Sequence, residues 1–100
     1  MINIIKKKID FSVGIFDNVT KNITNKIREE AKKSEVYGVG VYTDEIVVKK
    51  YKTLPKNNLE ERMRLAKKIE GVDFVFSIDK LKAEEIKNII EEECRNYLKK

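Results

Sequence analysis

Residues 10–31 read DFSVGIFDNVTKNITNKIREEA, and a change of period inside this stretch decides the fold. Residues 10–16 are a short apolar run rich in β-formers, stopped by Asp17 and Asn18. From Val19 onward the apolar positions fall every fourth residue, at Ile23, Ile27 and Ala31, with Lys, Asn and Glu between them. Side chains at that spacing share one face of a helix. The stretch therefore predicts a buried strand feeding directly into an amphipathic helix of about three to four turns, ending near Ser34.

The same alternation continues. Residues 36–42 (VYGVGVY) predict a second buried strand, ended by Thr43 and Asp44. Gly38 and Gly40 lie on one face of it, which implies that a helix or a ligand packs closely there. Residues 45–57 read as irregular and lysine-rich. Asn58 followed by Glu61 resembles a capping box, and Leu59, Met63, Ala66 and Ile69 form the apolar stripe of the helix it starts. Gly71 stands where a helix stop belongs. Val72–Phe76 predicts a third strand. From Asp79, residues Leu81, Ile86, Ile89, Ile90, Tyr97 and Leu98 mark a final helix, with Cys94 on or beside its stripe as a small core residue.

The expected fold class is α/β, a Rossmann-like three-layer α/β/α arrangement in the order β-α-β-α-β-α. Strands this uniformly apolar belong to a short parallel sheet with helices on both faces and right-handed crossovers. The whole of 1–100 reads as one domain. Residues 1–9 (MINIIKKKI) read either as an extra edge strand or as a short helix.

Composition bounds the function. The apolar runs are far shorter than the ~20 residues of a membrane span, and no secretory leader pattern opens the chain. One cysteine and no histidine exclude an internal disulfide and a conventional zinc cluster. A cytoplasmic protein without a membrane or metal partner is expected. The net charge of +5, from 22 Lys and Arg against 17 Asp and Glu, is a mild excess. Its densest clusters are Lys6-Lys7-Lys8 and Lys49-Lys50-Tyr51-Lys52. Without aromatic interleaving over a wider face, they do not make nucleic acid an expected partner.

In an open parallel sheet, ligands sit beyond the carboxyl ends of the strands. Here those ends are Phe16-Asp17-Asn18, Tyr42-Thr43-Asp44 and Phe76-Ser77. A helix starting after Asp17 points its unpaired N–H groups at that crevice, with Thr20, Lys21 and Thr24 beside its start. An anion site fits this geometry. So does the alternative, that Asp17 or Asn18 simply caps the helix.

These landmarks resemble the cytidylyltransferases of the nucleotidyltransferase superfamily, especially the small glycerol-3-phosphate cytidylyltransferase type. Gly14-Ile15-Phe16-Asp17 is similar to the family's Gly-Thr-Phe-Asp strand end, and Tyr42-Thr43-Asp44-Glu45 to its Ser-Thr-Asp-Glu. Lys50, Lys52, Pro55 and Glu60-Glu61-Arg62 follow the pattern of its lysine-rich loop and next helix, and Val72-Asp73-Phe74-Val75 that of its third strand. The resemblance implies a substrate phosphate attacking the α-phosphate of CTP, with pyrophosphate leaving. It places Lys50 or Lys52 and Arg62 on the phosphates, and Phe16 and Asp17 along the nucleotide crevice.

Two departures shape the functional expectation. Where the family carries His-x-Gly-His, this chain offers Thr20-Lys21-Asn22-Ile23 or, one residue on, Lys21-Asn22-Ile23-Thr24. Losing one transition-state donor of that kind costs about a hundred- to a thousand-fold in rate. The family also continues with two more strands in a 3-2-1-4-5 order, so a chain ending here leaves its first strand on an open edge. That edge would be covered by residues 1–9, by a second copy of the chain, or by another protein. The resemblance thus implies a degenerate, catalytically impaired domain, a pseudoenzyme that retains at most nucleotide or phosphate binding or a scaffold role. The alternative is an active enzyme that makes a CDP-alcohol from CTP and a phospho-alcohol. No tightly held cofactor is expected, and Mg2+ only if activity remains.

Overall fold

A computed structural model describes residues 2–4 and 7–99, with side chains from Lys8 onward. The elements are β1 (Ile2–Ile4), β2 (Lys7–Gly14), α1 (Lys21–Lys32), β3 (Val36–Tyr42), α2 (Asp44–Tyr51), α3 (Leu59–Lys67), β4 (Phe74–Ile78) and α4 (Ala83–Leu98). They form one four-stranded sheet in the order β1-β2-β3-β4. β2, β3 and β4 run parallel, and β1 is antiparallel to β2. This is an α/β Rossmann-like arrangement. Among the described residues no helix is long and apolar enough to cross a membrane.

Adding parallel strands in sequence with crossovers of one hand places α1 and α3 on one face. One core layer accordingly joins Ile27 of α1 and Ala66 of α3 to Tyr37, Val39 and Val41 of β3. The opposite layer joins Ile90 and Cys94 of α4, and Ile46 and Val47 of α2, to Ile9, Phe74, Phe76 and Ile78. β3 is buried along its whole length because it lies between two strands and two helix layers. Cys94 is fully buried, and burial pushes its thiol up to about 11.

Gly38 and Gly40 do share the α4 face, but neither a helix backbone nor a ligand occupies the space they leave. Side chains of β4 do, the Phe74 and Phe76 rings with Ile78. A Cβ at Gly38 would run into the Phe74 ring, and one at Gly40 would stand 2.7 Å from Ile78 Cδ1 and 2.9 Å from the Phe76 ring. The two rings stack at 5.7 Å, and Phe74 stacks again on Tyr97 of α4 at 4.8 Å. The glycines thus let β4's rings lie flat over the central strand, where α4 covers them.

Several boundaries differ from the sequence expectation. Residues 45–57 are not irregular throughout, since α2 spans Asp44–Tyr51. Thr43 caps it, its hydroxyl accepting from the Ile46 N–H at 3.3 Å, and the Glu45–Lys49 ion pair at 2.9 Å spans its first turn. The first helix is capped by neither Asp17 nor Asn18. Thr20 does so, accepting from Ile23 N–H at 3.3 Å. The first parallel strand starts at Lys7 rather than Asp10, because β1 pairs with Lys7–Ile9 and extends it. The third parallel strand is Phe74–Ile78 rather than 72–76, because Asp73 is held at its start: its N–H donates to Tyr37 O and its carboxylate accepts from Tyr37 N–H, each at 2.8 Å. α4 starts at Ala83 rather than Asp79. Of residues 1–9, Ile2–Ile4 form an edge strand, whereas Met1, Ile5 and Lys6 lie outside the described residues.

Substituting Gly38→Ala forces a Cβ into the Phe74 ring and is expected to destabilise the fold by roughly 1–3 kcal/mol. Urea unfolding monitored by circular dichroism measures it. An unchanged midpoint would show that the β4 rings do not depend on this gap.

Candidate functional site

The carboxyl ends of β2 and β3 converge on the side chain of Arg62 from α3. Arg62 is 0% exposed, the one charged residue among the buried described set. Its Nη1 donates to Ile15 O at 2.9 Å and Tyr42 O at 2.7 Å, and its Nε donates to Asn57 O at 3.0 Å. Its Nη2 donates to the carboxylate of Asp44, the first residue of α2. One planar guanidinium therefore ties together the ends of both strands, the start of α2 and the loop before α3. The fixed fork of arginine suits this, because its several N–H groups meet several acceptors around one buried charge. Four donor contacts and complete burial leave no face of the group open to a phosphate.

Asp17 is committed in a similar way. Its two carboxylate oxygens accept from the backbone N–H groups of Lys56 (2.7 Å) and Asn57 (2.8 Å), and Asn57 Nδ2 donates back to Asp17 O at 3.1 Å. The Lys56 N–H foremost, with Asn57 and the positive Arg62 behind it, holds this carboxyl below the usual aspartate range. Phe16, just before it, has φ +57° and is buried. A left-handed backbone at a non-glycine residue costs about 1–2 kcal/mol. Burial of the ring in the α1–α3 layer, together with the Asp17 latch on the next residue, offsets that cost. Gly14 makes room for the turn, since a Cβ there would meet the Phe16 ring at 3.1 Å.

The remaining sequence-predicted site residues are spread around this centre. Thr20 is occupied as the α1 cap, Lys21 is exposed on the first turn, and Thr24 is half-buried one turn on. Thr24 faces the gap between α1 and α3 with Arg28 and Lys68, and does not face the crevice. Lys50 donates to the Tyr42 hydroxyl at 3.3 Å and sits 5.0 Å above the Tyr42 ring. The Tyr42 hydroxyl beside it holds its ammonium charged above the usual lysine range. Lys52 is exposed and closes α2 in the left-handed conformation. The structure thus gathers the buried Phe16 and Arg62 and the half-buried Asp17 into one knot and leaves the lysines outside it.

What remains open over the knot is a groove of about 400 Å³, lined mainly by Ile15, Phe16, Ile23, Val47, Tyr51 and Leu54. Its lining is chiefly apolar, and Leu54 on its rim is 71% exposed. The sequence reading did not single out Tyr51 and Leu54. The signal was available in two large apolar residues standing in the lysine-rich segment 49–56. Among the described residues no three His, Cys, Asp or Glu side chains stand together as a metal-binding group.

No family model matches this chain, and no curated protein matches it in sequence. Among solved structures the chain is similar to a lipopolysaccharide core biosynthesis protein from Thermoplasma volcanium. The TM-score is 0.69 at 19% sequence identity, over 85% of this chain and 67% of that one. At that identity the likeness establishes a shared Rossmann-like α/β fold.

Replacing Arg62 by Met removes the donors while keeping the bulk. It leaves the Ile15, Tyr42 and Asn57 carbonyls without this donor, and an on the order of 3–5 kcal/mol loss of stability is expected. A variant with native stability in urea would overturn the structural role. Asp17→Asn tests the latch by pH. Because the folded pKa of Asp17 is lowered, its contribution is full above the unfolded value of about 3.9 and is lost as pH falls through the folded one. The stability gap between wild type and Asp17→Asn should therefore be largest near neutral pH and shrink in acid. A gap that widens in acid would contradict the latch.

Proposed function

We propose that this chain is a nucleotidyltransferase-like domain that does not catalyse nucleotidyl transfer and serves as a binding or scaffold module. One observation carries the reading. Arg62, the arginine that the resemblance assigns to phosphates, is completely buried and spent on protein acceptors. Thr20, which stands in the place of the first histidine in one of the two frames, is spent on capping α1. Transition-state stabilisation needs donors pre-aimed at developing charge, and here Arg62 and Thr20 are aimed at the scaffold while Lys21 is an exposed charge on a flexible stem.

Phosphate binding by the surface lysines is a weaker capacity and is compatible with this reading. Lys21, Lys50 and Lys52 are exposed and offer point charges on flexible stems. A magnesium ion would come with a nucleotide's phosphates, since Asp17 and Asp44 at the strand ends already have partners. The apolar lining of the groove favours a partner that brings apolar groups over a bare triphosphate.

The purified protein incubated with CTP, Mg2+ and glycerol 3-phosphate is expected to release no pyrophosphate above a protein-free control. Release that falls to background on Lys50→Ala combined with Lys52→Ala would contradict the proposal. It would favour an enzyme making a CDP-alcohol.

A further inference from the structure

β2 is eight residues long, but β1 pairs only with its first three, Lys7 to Ile9. On its other side β2 pairs with β3 over Ile9–Gly14. In a strand the main-chain groups of alternate residues point to opposite sides. Lys8 O accepts from Glu35 N–H at the β3 side, so the groups of Phe11 and Val13 point away from β3, to the outer edge. The Phe11 N–H is met there by Asp10's own carboxylate at 2.8 Å. The Phe11 carbonyl and the N–H and carbonyl of Val13 have no strand partner among the described residues.

Beside this edge runs a second groove, about 210 Å³, between β2 and α1. Ser12 to Phe16 form one wall, and Ile23, Lys26 and Ile27 the other. An open strand edge with an apolar groove and a helix alongside can take an added strand, with main-chain bonds for affinity and side-chain pockets for selectivity. Residues two apart on an added strand face the same side. One of them would meet Ile23 and Ile27 and the next would meet Lys26. Neither Lys26 nor Lys21 forms an ion pair among the described residues. Glu30, a turn beyond Lys26, already accepts from the Tyr37 hydroxyl at 2.7 Å.

We propose that the outer edge of β2, from Phe11 to Gly14, and the groove along α1 form a docking site for an extended peptide of another protein. The peptide carries an apolar residue and, two positions away, a carboxylate that meets Lys26. The charge at the groove argues for an acidic partner. A second copy fits poorly, because two β2 edges paired about a two-fold axis keep like faces together. Each would then offer the α1-side groove only Asp10, Ser12 and Gly14, with no apolar side chain, and the Asp10 carboxylate is already used. This inference does not depend on whether the crevice turns over a nucleotide.

The test is a titration of the 15N-labelled protein with acetyl-Ser-Ile-Val-Glu-Val-Ser-amide, followed by amide resonances. Saturable shifts are expected at Val13, Gly14, Ile23 and Lys26, with slowed solvent exchange of the Val13 amide. Changing the peptide's Glu to Lys should weaken binding about tenfold, as should Lys26→Glu in the protein, and N-methylation of its valines should abolish it. Lys80→Glu, outside the groove, should leave it unchanged. Absence of shifts, or indifference to both the charge reversal and the N-methylation, would overturn the proposal. So would a concentration-dependent dimer in sedimentation that protects the same Val13 amide without peptide.

Discussion

The guanidinium of Arg62 sits where two parallel strands end, and the local chain paths depend on it. Without it the Ile15 and Tyr42 carbonyls would face each other at the sheet's end without this shared donor. The start of α2 would lose the partner of Asp44, and the 53–58 loop its tie through Asn57 O. A buried charge is costly unless it is paired and fully hydrogen-bonded. Here four acceptors meet that demand, which fixes where α3 can sit against the sheet. Asp17 completes the arrangement from the other side by holding the N–H groups of Lys56 and Asn57. Two oppositely charged side chains from distant segments thus pin the same loop, residues 56–57, across the strand ends.

The residues that carry the resemblance read differently once their partners are known. Gly14 clears space for a ring, Phe16 turns the chain, Asp17 latches a loop, and Thr43 and Asp44 cap α2 and pair with Arg62. Asp73 clamps the start of β4 to Tyr37. Each has a structural duty in this fold. A sequence can therefore keep such a pattern for folding alone, and the pattern by itself does not report catalysis. Around Thr20 to Thr24, where the resemblance puts the family's histidines, the chain holds a helix cap, the exposed Lys21 and Asn22, the groove residue Ile23 and the half-buried Thr24.

Much of the fold was legible because its signals were local. The period change between Phe16 and Val19, the Asn58 cap and the buried stripe through Ala66 each fix an element from a few neighbours. What escaped was set by long-range contacts or by competing signals. α2 was hidden because its lysines look like a loop, although Thr43 and the Glu45–Lys49 spacing are helix signals. The Gly38 and Gly40 gap was legible as a gap, but its filling by Phe74 and Phe76 depends on the register of a strand 36 residues away. Of the site, the strand-end location was readable. The burial of Arg62 was not, since it depends on carbonyls from Ile15, Tyr42 and Asn57 meeting in space.

Arg62 holds the scaffold, and we propose that it does not contact a phosphate. The most direct measurement is the Arg62 Nε–H resonance in a 15N correlation spectrum, recorded with and without saturating CTP and Mg2+. A buried, fully paired guanidinium should give a signal that exchanges slowly with solvent and does not move on addition of nucleotide. Rapid exchange in the free protein, with a shift and protection appearing only when CTP is present, would contradict it.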